Sequence, residues 1–379
     1  MAKTSPRHVN AEIAACGKSA NWQRAARLLG QLRLARAADV FSFNSAMASA
    51  ASDGRGGDGG EGALRAMWRE MEAALLQPDV VTYNTTISAC GRRTKWQEAL
   101  HLLKGAGGAA DIITFNATIS ACEKKAQWLQ AVALFSSSPE PDVVSYNAVI
   151  TACARAGQWQ RALFLFEQLR PRKLQPTGTT YNALVAACDW SYQWQHALEA
   201  LKQARAVGAA DLITFNSAIS ACADHLHVAL ELLSEMHMDE LQGNVVSYSA
   251  LISACEAGGQ WQNALVLLRQ MRSLDLKPNI VTYSAAITAC EKASRWQLAL
   301  GLLSQLSAQK LQVTPVARNS AVSACEKAAR WRQAMWLLTD ALDATDVVSF
   351  GGAISACEKG AQWRRAVHLL LADMGRAAV

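Results

Sequence analysis

Ten cysteines are the most reactive side chains in this 379-residue sequence, and their spacing decides what they could do. They stand at Cys16, Cys90, Cys122, Cys153, Cys188, Cys222, Cys255, Cys290, Cys325 and Cys357, never closer than 31 residues. A zinc or redox knuckle needs two thiols a few residues apart, and none is present. After a first gap of 74, the intervals run from 31 to 35 residues, which is the period of a repeat. A thiol recurring once per period is expected as a small buried hydrophobe in a reducing compartment, free of disulfides. The seven histidines do not recur at one position of the period. A zinc deaminase needs HxE with a later CxxC, and the sequence has neither; the glycine-rich segment lacks the GK[ST] of a phosphate loop. No metal, cofactor or catalysis is expected.

A polar residue in a fixed phrase does recur. VTYNTTISAC at 81 returns as VSYNAVITAC at 144, ITFNSAISAC at 213, VSYSALISAC at 246 and VTYSAAITAC at 281. With Val80 as position 1, units start at 6, 40, 80, 112, 143, 178, 212, 245, 280, 315 and 347. Position 5 is Asn10, Asn44, Asn84, Asn116, Asn147, Asn182, Asn216 and Asn319, becomes Ser249 and Ser284, and ends as Gly351. An amide offers a donor and an acceptor, and a hydroxyl a shorter, rotating group, so either can read a base edge. Position 2 is aliphatic at Val81, Ile113, Val144, Ile213, Val246, Val281, Val316 and Val348, which suits clamping a flat ring. Position 13 is basic at Lys18, Arg92, Lys124, Arg155, Lys292, Lys327 and Lys359, one cation per unit, as a phosphate backbone needs. Three successive units break that row with Trp190, Asp224 and Ala257.

Each unit reads as two helices. Thr82, Thr114, Ser145, Thr214, Ser247, Thr282 and Ser349 at position 3 suit an N-cap. The second helix repeats apolar residues at i, i+3, i+4 and i+7, as in Trp96, Ala99, Leu100 and Leu103. Nine cysteines are followed six residues later by Trp, and the Trp series is expected in the core with the Ala and Leu it accompanies. At about 100° per residue, positions 4, 8 and 11 form one buried face of the first helix. Positions 5, 9 and 13 fall opposite, beside position 2. The amides are therefore expected to project outward, on a face that stacking does not need. Neither helix buries its apolar stripe alone, so the fold class is all-α. The expected architecture is an α-solenoid of about eleven helix-turn-helix repeats spanning 6–374, with a Gly-rich surface loop inserted at 52–62.

The net charge of +6 leans mildly toward polyanions. No run of 18 apolar residues predicts a membrane span, and Met1–Arg7 is too short for a secretory signal. The missing leader, together with Leu369, Leu370 and Leu371 at an uncovered edge, is what a fragment of a longer protein would show.

These phrases resemble the pentatricopeptide repeat pattern VVTYNxLIxxxxKxGxxxxALxLFxxMxxxGxxPD. VVSYNAVITACARAGQWQRALFLFEQLRPRKLQPT and NIVTYSAAITACEKASRWQLALGLLSQLSAQKLQV carry most of it, in register along nearly the entire chain. The Cys-x5-Trp signature, the insertion after Ala51 and the shortened seventh unit depart from it. Tetratricopeptide repeats, the nearest rival, want the Trp early in the first helix, whereas here it opens the second. The resemblance implies single-stranded RNA binding in an organelle, plastid ahead of mitochondrion, by a monomer working beside separate RNA-processing enzymes. It implies that position 5 and the last residue of the same repeat choose the base. Those pairs are Asn10 with Asp39, Asn44 with Asp79, Asn84 with Asp111, Asn116 with Asp142, Asn147 with Thr177, Asn182 with Asp211, Asn216 with Asn244, Ser249 with Asn279, Ser284 with Thr314 and Asn319 with Asp346. The implied tract is UUUU-Y-U-C-A-N-U. The alternative class is a peptide-binding solenoid, which needs neither the position-13 cations nor the Asn/Asp pairing.

Overall fold

The computed structural model describes residues 6–18, 21–35, 37–52, 58–339 and 347–367. Helices alternate as the repeat predicts. The first helices are α1 (Pro6–Lys18), α3 (Val40–Ala51), α5 (Val80–Arg92), α7 (Ile112–Glu123), α9 (Val143–Arg155), α11 (Gly178–Trp190), α13 (Leu212–Ala221), α15 (Val245–Ala257), α17 (Ile280–Lys292), α19 (Pro315–Lys327) and α21 (Val347–Lys359). The second helices are α2 (Trp22–Leu34), α4 (Asp58–Ala73), α6 (Trp96–Ala106), α8 (Trp128–Ser137), α10 (Trp159–Glu167), α12 (Trp194–Ala206), α14 (Leu226–Met238), α16 (Trp261–Ser273), α18 (Trp296–Ala308) and α20 (Trp331–Thr339). The fold is an all-α helical-repeat solenoid, divided into two compact halves, one up to Ser191 and one from Tyr192. Within each half every first helix packs on its own second helix and on the first helix of the next repeat.

The first helices start where the units start, but their caps differ from expectation. The N-cap is the last residue of the preceding repeat, as in Asp79, Asp111 and Asp142, with extended backbone and a side chain accepting the position-3 N–H. Position 3 sits inside the helix, and its hydroxyl returns the favour to the cap residue's N–H, closing a capping box. The side-chain chemistry was right and the register wrong, because Asp outcompetes Thr as the N-cap acceptor at a helix start.

The Cys-x5-Trp spacing is a turn. Within the two halves the residue before the Trp donates its N–H to the Cys carbonyl, at 3.0 Å for Lys95 to Cys90 and 2.8 Å for Arg330 to Cys325. The residue just before that donor turns left-handed, as at Thr94, Ala126, Ser294 and Ala329. Among the described residues, only Gly157 and Gly259 hold this position of the turn without a Cβ.

Positions 4, 8 and 11 make the core. Tyr146, Tyr248, Ile87, Ile150 and Ile287 are fully or almost fully buried, and all ten cysteines are buried and free. Burial pushes the thiols of Cys90, Cys122 and Cys153 up to about 11 and that of Cys255 to about 12, so they stay protonated at neutral pH. The tryptophans are not core. Trp96, Trp128 and Trp261 are half-buried at the second-helix starts. A guanidinium from the next repeat lies on several of their rings: Arg161 on Trp128 at 4.4 Å, Arg295 on Trp261 at 4.9 Å and Arg330 on Trp296 at 5.2 Å. A large ring at a helix start reaches the seam between layers, and only small Ala fits beneath it.

The insertion is also shorter than expected. Residues 58–62, assigned to the loop, form the first turn of α4. There Glu61 pairs with Lys95 and with Arg65, the latter at 2.9 Å, which ties the turn to the next repeat. Residues 53–57 lie outside the described set, as do Asp346 and Leu369–Leu371. Among the described residues no helix is long and apolar enough to cross a membrane, and no cluster of side chains could hold a metal ion.

Candidate nucleic-acid interface

The position-5 amides do not project freely. Asn44, Asn84, Asn116, Asn147 and Asn216 each reach across to the next first helix and join its cap. Asn84 Nδ2 donates to Asp111 Oδ1 at 3.3 Å, while Thr114 Oγ1 donates to Asn84 Oδ1 at 2.6 Å. Asn44 makes the same bonds to Asp79 (2.9 Å) and Thr82 (2.6 Å), and Asn116 to Asp142 (3.1 Å) and Ser145 (2.5 Å). In the second half Asn216 Nδ2 meets Asn244 Oδ1 at 3.4 Å and Ser247 Oγ donates to Asn216 Oδ1 at 2.5 Å. Ser349 Oγ donates to Asn319 Oδ1. Asn44 is buried and the others half-buried. The expectation that stacking does not need this residue is therefore corrected: it is a polar rivet between layers. The helical wheel placed it opposite the core of its own helix, but that direction faces the neighbouring helix start.

The same bonds bring together Asn44 with Asp79, Asn84 with Asp111, Asn116 with Asp142 and Asn216 with Asn244, and they orient the amide. A carboxylate only accepts, so Nδ2 must face Asp111 and Oδ1 must face the Thr114 hydroxyl. The bonds from Thr114 N and Asn84 Nδ2 land on Asp111 Oδ1, and Thr114 Oγ1 lies 2.7 Å from the same oxygen. Burial acts to raise the pKa of Asp79, Asp111 and Asp142, but the hydrogen bonds from position 3 and the amide outweigh it, leaving each carboxyl below its ordinary value.

Other pairs vary the theme. Ser249 Oγ lies 2.9 Å from Thr282 Oγ1 and donates to Val245 O at 2.6 Å, while Asn279 Oδ1 caps α17 at Thr282 N, 2.9 Å away. Ser284 Oγ is 3.3 Å from Thr314 Oγ1, which caps α19. Asn147 meets Thr177 at 3.3 Å in place of a carboxylate. Asp39 caps α3 through Ser42 N at 2.8 Å, and Asn10 Oδ1 is buried with no partner. Asn182 belongs to the first half, and Asp211 caps α13 in the second, at 2.9 Å from Thr214 N.

Position 2 is the exposed apolar row. Val81, Ile113, Val144, Ile213, Val246, Val281, Val316 and Val348 are each 55% to 66% exposed, next to the amide and cap. Solvated aliphatic side chains at one fixed register have no packing role in the fold itself.

The position-13 cations are exposed but not idle. Lys327 pairs with Glu291 at 3.0 Å, Lys359 with Glu326 at 2.8 Å and Arg155 with Glu123 at 3.6 Å, each acid being position 12 of the preceding repeat. Ser323 and Ser355 donate to the same Glu291 and Glu326 oxygens at 2.9 Å. Lys124 and Lys292 reach the carbonyls of Gly91 (3.0 Å) and Ala257 (3.4 Å). Arg92, whose preceding repeat carries Ala51 at position 12, is exposed. The Lys18 side chain lies outside the described residues. Sequence reasoning read the position-3 hydroxyls only as caps, missing their bond to the preceding repeat's amide, and it missed the position-12 acids. Their signal was present, Ser or Thr at position 3 and Glu in the phrase ACEK, but a helix wheel of one repeat does not show what the next repeat brings to it.

Comparison with protein families matches residues 141–189 to the PPR repeat family, residues 66–125 and 231–293 to the pentatricopeptide repeat domain, and residues 281–309 to the PPR repeat. No curated protein sequence matches. Among solved structures the pentatricopeptide repeat protein PPR10 from maize is similar over 95% of this chain and 58% of its own length, at 21% identity and a TM-score of 0.57. That likeness concerns the fold, and the chain spans less than two thirds of the maize protein. PPR10 in complex with an 18-nucleotide psaJ RNA element is similar at 19% identity and a TM-score of 0.44, over 100% of this chain and 65% of that one. Yeast Rmd9p in complex with a 16-nucleotide target RNA follows at 9% identity and 0.42, over 97% and 88%.

Proposed function

Because the chain belongs to the pentatricopeptide repeat family, we propose that it binds single-stranded RNA, one nucleotide per repeat, and acts by occupying that RNA rather than by cutting or modifying it. The observation that supports this reading most is the amide-to-cap pair repeated beside an exposed aliphatic residue. In the Asn84–Asp111 pair, Asp111 Oδ1 is consumed internally, so Oδ2 stands as an acceptor beside the second N–H of Asn84. An acceptor next to a donor complements uracil N3–H and O4. In the Asn216–Asn244 pair, Asn244 Oδ1 takes Val246 N, Ser247 N and the Asn216 amide, and its own Nδ2 offers donors, which suits the N3 acceptor of cytosine. The aliphatic residues of successive repeats would hold each base between them, and the position-13 cations would follow the phosphates. Lys327 and Lys359 would exchange a carboxylate for a phosphate to do so.

The pairs spell a target near UUUU-Y-U-C-A-N-U. A role in organellar RNA processing, stability, editing or translation, in a plastid ahead of a mitochondrion and beside separate processing enzymes, follows family usage. Equilibrium binding to poly-U, poly-A and poly-C tests the base reading. Poly-U is expected to bind at least about tenfold tighter, an increment of about 1.4 kcal/mol, with affinity falling steeply as salt rises. Equal affinities for the three polymers would remove it.

A further inference from the structure

The fifth repeat breaks the pattern at a residue that lies outside its pair. Its cap, Thr177, has no carboxylate, and position 2 of the following helix α11 is Thr179. From α3 to α21 every other position-2 residue is apolar: Phe41 and the valine and isoleucine row. Thr179 Oγ1 accepts from Asn147 Nδ2 at 2.9 Å, closer than Thr177 Oγ1 at 3.3 Å. The two hydroxyls are 2.7 Å apart and both residues are exposed. Thr180 Oγ1 still donates to Asn147 Oδ1 at 2.6 Å, so the amide keeps the orientation it has elsewhere. What changes is the edge it borders. In the second to fourth repeats that edge is a carboxylate, which can only accept. Here it is a pair of hydroxyls, each of which can accept or donate by rotating one proton.

We propose that Thr179 is a specificity residue of this interface, and that with Thr177 it makes the fifth repeat a hydroxyl-lined site that takes uracil and cytosine alike. A hydroxyl accepts from uracil N3–H in one rotamer and donates to cytosine N3 in the other, and the Asn147 amide is common to both. The proposal rests on the base-reading function above. It also assigns a role to a residue outside the position-5 and last-residue pair. Restoring only the acid, Thr177→Asp, leaves Thr179 Oγ1 positioned to donate to the new carboxylate and occupy its outward oxygen. Restoring both acid and aliphatic, Thr177→Asp with Thr179→Val, rebuilds the arrangement of the fourth repeat.

The test is equilibrium binding of synthetic 5′-UUUUUUCAUU-3′ and its single C substitutions at nucleotide 4 or nucleotide 5. For the unaltered protein, C at nucleotide 4, facing Asn116 and Asp142, is expected to weaken binding about tenfold, as one mispaired base costs. C at nucleotide 5 is expected to change it less than about threefold, well short of that cost. Thr177→Asp alone is expected to move the nucleotide-5 ratio only slightly, and the double variant to bring it to about the nucleotide-4 value. Discrimination at nucleotide 5 equal to that at nucleotide 4 in the unaltered protein overturns the proposal. So does a full gain of selectivity from Thr177→Asp alone, which would leave Thr179 without a role. No discrimination at either nucleotide overturns the base-reading function itself. The measurements on the unaltered protein need no variant to fold, and far-ultraviolet circular dichroism checks that the variants do.

Discussion

A single side chain here serves two ends at once. Asp111 caps α7, closes a box with Thr114 and holds the Asn84 amide, so a structural acid borders the proposed base-reading edge. Asp111→Asn separates these roles. Asn is an equally good cap, as Asn244 and Asn279 show in α15 and α17, so stability at pH 7 is expected to change by less than about 0.5 kcal/mol. The carboxyl of Asp111 titrates below its ordinary value in the folded chain. Its contribution is therefore complete above the unfolded value of about 3.9 and is lost as pH falls through the lowered one. The variant lacks that loss, so urea midpoints of the two proteins are expected to converge, or cross in favour of the variant, between pH 4 and pH 2. In binding, nucleotide 3 is expected to turn from U toward C. Unchanged preference at that nucleotide would show that Asp111 only caps. The amide and its acid were both legible in the sequence, because a residue type repeated at one register cannot hide. Their mutual hydrogen bond was not, since it joins residues 27 positions apart on different helices.

Between elements, the seams carry costs and restraints that can be altered one at a time. Ala329 holds a left-handed backbone at φ 54° where Gly259 does so without a side chain. Ala329→Gly is expected to stabilise by about 0.5–1 kcal/mol, the relief of a Cβ in that region less the entropy of glycine, measured as a higher urea midpoint at unchanged slope. The second seam is ionic. Glu291→Gln with Glu326→Gln releases Lys327 and Lys359 while leaving an acceptor for Ser323 and Ser355. Exposed ion pairs contribute about 0–1 kcal/mol each, so folding is expected to change little. RNA affinity at about 0.1 M salt is expected to rise several-fold, and the salt slope to steepen by up to about 0.7 per freed cation. An unchanged slope would mean these lysines do not meet phosphate. The unit starts, read from period and phrase, are where the first helices begin, three residues ahead of the starts that caps at position 3 imply. The caps and the α4 start were misread because both depend on partners in an adjacent repeat: the amide that pins Asp79, and Lys95 that anchors Glu61.

Within each half, one joint is made again and again: an amide of one helix, an acid or amide at the end of its repeat, and a hydroxyl three residues later. Each letter of the proposed reading is thus written across a boundary between repeats. A cassette cut at the first-helix starts would carry the amide and its cap together and leave the hydroxyl in the recipient. Thr82, Thr114, Ser145, Thr180, Ser247, Thr282 and Ser349 supply that hydroxyl, whereas Ala317 has none to give. Most letters of this chain could therefore be shuffled, duplicated or inherited as intact blocks. The fifth could not, because half of its meaning is stored in its neighbour's Thr179.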